Sequence, residues 1–332
     1  MTAHAPTHFD FDAGVQAPFR MQPGLRRLAE GAVQLTPSVV EGMPGRNLRE
    51  KLQVLSKHAS RALLTSPGFD ARPALAALAG HAALEQPAAF VWDGDGAAAA
   101  PALGWQLRGE RLSPLPGPAA AWRDEVGACL NQLAPDWRLA GLLSLAFAED
   151  FAMIDSQARI PWLAVALPSH WSPGDKVGRH FTEVHAPVAD NRQLLAAADA
   201  LARLVCAPAR WERSVWSIGA HGSLNAHPDL HRRTWDWANA ADAADAVDAD
   251  CVAAQAWFRS ERQTFIPVSQ AQQAVFTIFV DTAPLAVALD SAHKARRVHD
   301  ALASMSPQVL RYRGLHGVRD GLLEWLAQRA AA

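Results

Sequence analysis

Gln263-Thr264-Phe265-Ile266-Pro267, followed by Ala274-Val275-Phe276-Thr277-Ile278-Phe279-Val280-Asp281-Thr282, is the part of the chain that decides its fold class. In the second segment Phe276, Ile278 and Val280 alternate with Val275, Thr277 and Phe279. Aromatic and β-branched residues at period two suit the two faces of a strand, and the segments read as a pair. Residues 214–218 alternate in the same way, residues 162–167 form a strand candidate ending at Pro168, and residues 89–92 read as a short strand before the turn Asp93-Gly94-Asp95-Gly96. Helices flank these strands. In residues 47–64, Leu48, Leu52, Val54, Leu55, Ala59 and Leu63 recur near helical period. Residues 73–84 open on a proline, which a first helical position tolerates, and residues 119–133 return to helix. Residues 191–205 place Leu194, Leu195, Ala198, Leu201, Ala202 and Val205 on one face before Pro208. Residues 240–256, 292–305 and 317–330 are also expected to be helical. Strands cluster after residue 160 without regular alternation with helices, which favours an α+β protein with an antiparallel sheet over a doubly wound parallel one.

Residues 139–154 are almost wholly apolar until Glu149 and Asp150, so burial on both sides is expected there. Those two adjacent carboxylates diverge on a helix or a strand; a helix cap accounts for them better than paired catalysis does. Phe9, Phe11 and Phe19, set among Asp, Gly and Pro, suit an extended segment that pins aromatic anchors on a core. The expected organisation is an arm over residues 1–30, a single domain over residues 31–316, and a C-terminal helix or tail over residues 317–332. The alanine run at residues 97–100 reads as tolerated loop.

Half of the 332 residues are hydrophobic and 19% are charged, which excludes a disordered chain. Thirty-one basic and thirty-three acidic side chains leave a formal charge of −2, without the footprint of a dedicated nucleic-acid binder. No run of about 20 apolar residues suits a membrane span. The N-terminal stretch, with Asp10 and Asp12 and no apolar segment, does not read as a signal peptide, so the expected compartment is the cytoplasm. Cys129, Cys206 and Cys251 lie far apart, and their spacing supports neither a thiolate zinc site nor a cysteine-ligated iron–sulfur cluster. Of the thirteen histidines, His170, His180, His185, His221, His227 and His231 fall in one stretch, where a metal or metal-bearing cofactor is to be sought. Gly94 and Gly96 sit in an acidic turn with no third glycine and no Lys-Ser or Lys-Thr, so no nucleotide-binding loop is present. Ser214 and Ser217 lack the glycines of a nucleophile elbow.

Two polar stretches remain. One carries Pro168, Ser169, Trp171, Pro173, Lys176 and Gly178, then Val184, His185, Pro187 and Val188. The other carries Arg259, Glu261, Arg262, Gln263 and Thr264, and Arg213 with Trp216 lies between them. In this order they resemble the alpha-subunit family of haem-dependent oxidative N-demethylase, over about residues 18–316, with weaker matches at Pro23-Gly24-Leu25, Glu149-Asp150 and Tyr312-Arg313-Gly314. The resemblance implies a haem-binding domain of PAS-like fold, an antiparallel sheet of about five strands with flanking helices and N- and C-terminal extensions. It also implies haem b as cofactor and a monooxygenase reaction on dimethylamine or another small amine with dioxygen. Electrons would come from NADPH through separate subunits carrying FMN and a 2Fe-2S cluster. The chain's lack of nucleotide and cluster motifs is in keeping with that division. A haem-based gas or redox sensor without turnover is the alternative.

For site residues, the resemblance makes His185 the axial ligand, on a loop or element end because Pro187 follows it. His180 is the alternative ligand and His227 a more distant one. Of Arg259 and Arg262, one is expected on the haem propionates and the other near the oxygen-binding side, with Glu261 beside them; a structural Arg–Glu network is the competing account. Arg179 and Lys176 are further propionate candidates, with solvation the competing fate of Lys176. Arg213, Trp171 and Trp216 are expected around the cofactor, with core packing as the alternative for the tryptophans. Glu183 suits an alkylammonium group but lies outside the shared pattern. Tyr312, the chain's one tyrosine, is far in sequence from these segments.

Overall fold

The computed structural model describes residues 9–231, 235 and 248–331. Its centre is the hairpin anticipated from the alternating segments, extended at both ends. Seven strands form one sheet among the described residues: β1 (Arg26–Arg27), β2 (Leu63–Thr65), β3 (Asp150–Asp155), β4 (Trp162–Ala164), β5 (Trp211–Gly219), β6 (Trp257–Val268) and β7 (Gln273–Pro284). Their order is β1-β5-β6-β7-β3-β4-β2, antiparallel throughout. The hairpin registers Trp257 against Pro284 at one end and Val268 against Gln273 at the other. Phe265 stacks on Phe276 with ring centroids 4.8 Å apart, and Thr264 meets Thr277 at 2.6 Å on the opposite face. Gln272 closes the turn at φ 52°, in the left-handed region.

The expected strand at residues 263–267 is in fact twelve residues long, because the charged stretch before it pairs with β5 on one side and β7 on the other. Seven strands stand where about five were expected. β1 is too short to show a period, β2 takes over the end of the expected first helix, and β3 is buried on both faces, so it shows no alternation. The expected strand at residues 89–92 and the alanine run belong to a separate four-stranded meander of Val91–Trp92, Ala97–Ala100, Trp105–Arg108 and Arg111–Pro114. Ala98 and Ala100 are buried there, so the run is a strand whose small side chains allow close packing. The helices Arg46–Ala62, Arg72–Glu85, Ala121–Gln132, Arg192–Cys206, Ala292–Ala303 and Arg319–Ala331 lie where the periodicity put them. Of the expected helix at residues 240–256, Ala249–Gln255 is helical and residues 240–247 lie outside the described residues.

Register divides the sheet into two faces. One presents Trp216, Phe258, Arg262, Val275, Phe151 and Met153, and the helices pack on it in two apolar clusters. The other presents Arg213, Arg259, Glu261, Gln263, Phe265, Phe276 and Ala152. The segment from Trp171 to Phe181 and the Arg192–Cys206 helix cover this second face. Anchoring of the N-terminal segment is aromatic, as the sequence suggested, but Phe11–Gly14 is a single helical turn capped by Asp10 where an extended segment was expected: Phe9 and Phe11 lie 5.8 and 5.7 Å from Phe258, and Phe19 lies 6.3 Å from Trp216.

Glu149 and Asp150 do not cap a helix; Asp150 pairs with Lys51, which is fully buried, and the Glu149 carboxyl turns to Thr36. Lys51 Nζ lies 3.2 Å from Asp150 Oδ1 and donates to the carbonyls of Ser144, Phe147 and Glu149. Leu167 N–H donates to Asp150 at 2.6 Å and Thr36 N–H to Glu149 at 2.9 Å. The three cysteines are free thiols, and no helix among the described residues is long and apolar enough to cross a membrane.

Candidate functional site

The second face of the sheet gathers most of the residues singled out in the sequence. Above it, His185 is the last residue of the short helix Phe181–His185. His180 caps that helix: its ring accepts from Thr182 N–H, and its own N–H donates to Glu183 at 2.7 Å, a capping box. His180 Nε2 points to Asp199 at 3.4 Å. Capping therefore occupies both His180 and Glu183, and it aims the next turn at the sheet.

His185 is held differently. Its Nδ1 donates to Phe181 O at 2.9 Å, and its ring stacks on Phe181 at 3.9 Å. Because a carbonyl only accepts, Nδ1 carries the proton and Nε2 carries the lone pair. Burial lowers the imidazole pKa to about 4, with help from the nearby charges of Arg213 and Lys176, so the ring is neutral at physiological pH. Asn191 fixes the helix end by donating to the carbonyls of His185 at 2.8 Å and Ala186 at 3.1 Å. Lys176 is half-buried and donates to Val184 O at 3.0 Å, so it ties the preceding turn to this helix instead of being solvated.

Facing the helix is Arg213. Its Nε is buried and has no hydrogen-bond partner among the described residues, and Glu261 is the acidic group that offsets its charge. Glu261 accepts a short hydrogen bond from Ser169 Oγ and a second from Gln263 Nε2 at 2.5 Å. Arg259 Nε donates to the same Ser169 Oγ at 2.7 Å. The remaining donors of Arg259 reach the carbonyls of Ser223, Leu167, Pro168 and Leu224 at 2.7 to 3.3 Å. Arg259 is thus a buried tie between two loops, its donors taken by the protein.

Arg262 stands on the opposite face. It forks onto Glu212 at 3.0 Å and donates to Val33 O at 2.8 Å. The two arginines expected to share a site are separated by the sheet, since residues three apart on a strand point to opposite sides. Trp216 is also on that far face, stacked on Phe258 at 5.8 Å and buried. Trp171 stays on the near side, packed with Leu163, Val177 and Phe276. Arg179 is exposed beside this segment, and Tyr312 is exposed at 39%.

At the far end of the same face, His170 (φ 63°) lies 5.3 Å from His221, and His221 stacks on His231 at 4.9 Å. Among the described residues, no group of three or more His, Cys, Asp or Glu side chains is placed to hold a bare metal ion. The sequence missed Ser169 as the bridge between Arg259 and Glu261, and Asn191 as the latch on His185; neither residue type marks such a role in advance. It also missed a cavity of about 560 Å³ between residues 13–26 and β5, which Arg213 lines.

A neutral imidazole with its Nδ1–H committed to backbone, within electrostatic reach of Arg213 and Lys176, is a donor set that could hold a metal-bearing cofactor carrying negative charge. No curated protein matches the chain. Residues 131–323 do match the family described as haem-dependent oxidative N-demethylase, alpha subunit-like, and with that match spanning more than half its length the chain belongs to this family.

Proposed function

We propose that this chain is the haem-binding component of an oxidative N-demethylase-like monooxygenase, acting on a small amine with electrons from separate flavin and iron–sulfur subunits that take them from NADPH. Family membership supports the class of activity. The observation that carries the site is His185: a neutral imidazole whose Nδ1–H is committed to Phe181 O and whose Nε2 lone pair is left for iron. The haem face in this reading is the Arg213 face of the sheet, in a PAS-like arrangement of sheet and covering segments.

The residues present fit haem b. Arg213, whose Nε has no acceptor among the described residues, and a half-buried Lys176 supply positive charge for propionates, and Trp171, Phe265 and Phe276 supply apolar walls. Haem, when bound, supplies a redox-active iron able to activate dioxygen toward a C–H bond beside nitrogen. The protein's part lies in orientation and electrostatics. Phe181 O holds the His185 proton on Nδ1, and Asn191 keeps the ring from turning. Glu261, fixed by Ser169 and Gln263, places an acceptor on this face where an alkylammonium N–H is stabilised. Arg259 closes the two loops over that end and keeps water out.

The test is the absorption spectrum of the full-length chain, oxidised and dithionite-reduced, after haem supplementation. A Soret band that is lost or shifted in His185→Ala is expected; no band in the wild-type chain refutes the proposal. Formaldehyde from an N-methyl amine is expected only when a reductase accompanies NADPH, and haem binding without any turnover under those conditions sides with a sensor.

A further inference from the structure

We propose that the cavity beneath the N-terminal segment is a carboxylate-binding site, with Arg213 as its principal donor. The cavity's volume of about 560 Å³ falls within the usual range of small-molecule sites. Arg20, Arg26, Arg213 and Arg313 line it, and none of its lining residues is acidic. Two of these charges are already engaged. Arg26 meets Asp10 at 2.6 Å and Glu212 at 3.0 Å. Arg313 lies over the rings of Phe19 and Trp216 at 4.5 and 5.5 Å and donates to Trp216 O at 2.9 Å. Arg213, whose charge Glu261 offsets in part, differs in having a buried Nε–H that no described residue accepts. An unmet donor of a charged group is costly, and a carboxylate meets a guanidinium in a planar two-point geometry that water does not reproduce.

The N-terminal segment is built to stay over this space. Its phenylalanines are seated on Phe258 and Trp216. At Gly14 a Cβ would come within 2.4 Å of the Phe9 ring and 3.1 Å of Ser214 Cβ, so a larger residue there would push the Phe9 ring aside and crowd β5. The cavity also adjoins the His185 side, because Leu25 of its wall packs in one cluster with Phe181, the residue stacked on His185. Two sources of carboxylate are thereby in reach: a haem propionate, which rests on the proposed function, or the acid group of an N-methylated amino acid acting as substrate.

The experiment titrates the full-length chain with haem and with haem dimethyl ester, which lacks free propionates. Calorimetry with N,N-dimethylglycine and with dimethylamine follows, each for wild type and Arg213→Gln. Haem binding about tenfold or more tighter than the ester, with the difference erased in Arg213→Gln, supports the site with a propionate as its occupant. Equal binding of haem and ester, with Arg213-dependent binding of N,N-dimethylglycine but not dimethylamine, supports it with a substrate carboxylate. If neither haem nor ester binds while N,N-dimethylglycine does, the haem reading falls and the carboxylate site stands. Equal binding of haem and ester with no binding of N,N-dimethylglycine overturns the site and leaves the haem reading intact, and this comparison needs no variant to fold. A preference for carboxylate that persists unchanged in Arg213→Gln overturns the role given to Arg213.

Discussion

Arg259→Met removes five hydrogen bonds while nearly preserving side-chain volume, and it separates a structural role for Arg259 from a contact with cofactor or oxygen. The residue is 4% exposed, and its donors reach Ser169 Oγ and four backbone carbonyls. Hydrogen bonds from a charged donor contribute about 1.5–3 kcal/mol each. Against them stands desolvation, which lowers the guanidinium pKa from its ordinary 12.5 to about 10 and so costs the charged form roughly 3 kcal/mol, leaving it protonated at neutral pH. Methionine escapes the desolvation but strands the carbonyls of Leu167, Ser223 and Leu224, while Pro168 O keeps the Ala226 N–H at 2.9 Å. Because three of the five contacts share the single nitrogen Nη2, the bonds do not add, and the expected net loss is about 3–5 kcal/mol, the scale for removing one partner of a buried charged network. For a chain of 332 residues that lowers Tm by about 4–7 °C. Scanning calorimetry and denaturant midpoints of the full-length protein read it directly, and Arg259→Lys, with one point charge in place of a fork, recovers only part. A methionine variant within about 1 kcal/mol of wild type that nonetheless loses haem refutes the loop-tie account and returns Arg259 to the cofactor.

Three further outcomes are expected. His180→Ala loses a helix cap, about 1 kcal/mol by thermal unfolding, and retains the axial-ligand spectrum that His185→Ala loses; loss of haem in the His180 variant alone would reverse the assignment. Arg262→Ala breaks the Glu212 fork on the far face and costs about 1–3 kcal/mol, reduced by the second partner Arg26, with haem affinity unchanged; a large drop in haem affinity at full stability would place Arg262 at the cofactor after all. Burial raises the Glu149 carboxyl from 4.5 to about 7, so the folded state holds a proton that the unfolded state has released between those values. Stability from this group is complete below about pH 4.5 and is lost as pH rises through 7, at up to roughly 1.4 kcal/mol per pH unit; denaturation midpoints across that range, flatter in Glu149→Gln, check it, and an unchanged slope in the variant rules Glu149 out as its source.

The candidate site was legible in the sequence where residue type restricts chemistry. His185 stood out through its motif and the proline behind it, and it does terminate a short helix with one nitrogen committed to backbone. Arg213 and Lys176 were named beside it, and their charges do reach it. The Arg259-to-Gln263 stretch was harder to apportion. A sequence shows that Arg259 and Arg262 are three apart, but helix and strand send that spacing to the same side and to opposite sides respectively, and only the pairing with β5 and β7 decides.

What the sequence determined by itself was the class of the protein and most of its helices, together with the central hairpin, because amphipathic periodicity is local and is written residue by residue. It also carried the family, through motifs kept in order along the chain. Tertiary structure alone decided β3, whose residues are buried on both faces and show no period, and the alanine run, whose small side chains become a strand only under packed neighbours. It alone decided that Lys51 is paired with Asp150 about a hundred residues away, and that the N-terminal segment roofs a cavity that Arg213 lines. Such features depend on contacts between segments distant in sequence, where the cost of burying a charge or an unpaired donor is set by partners that no local pattern encodes.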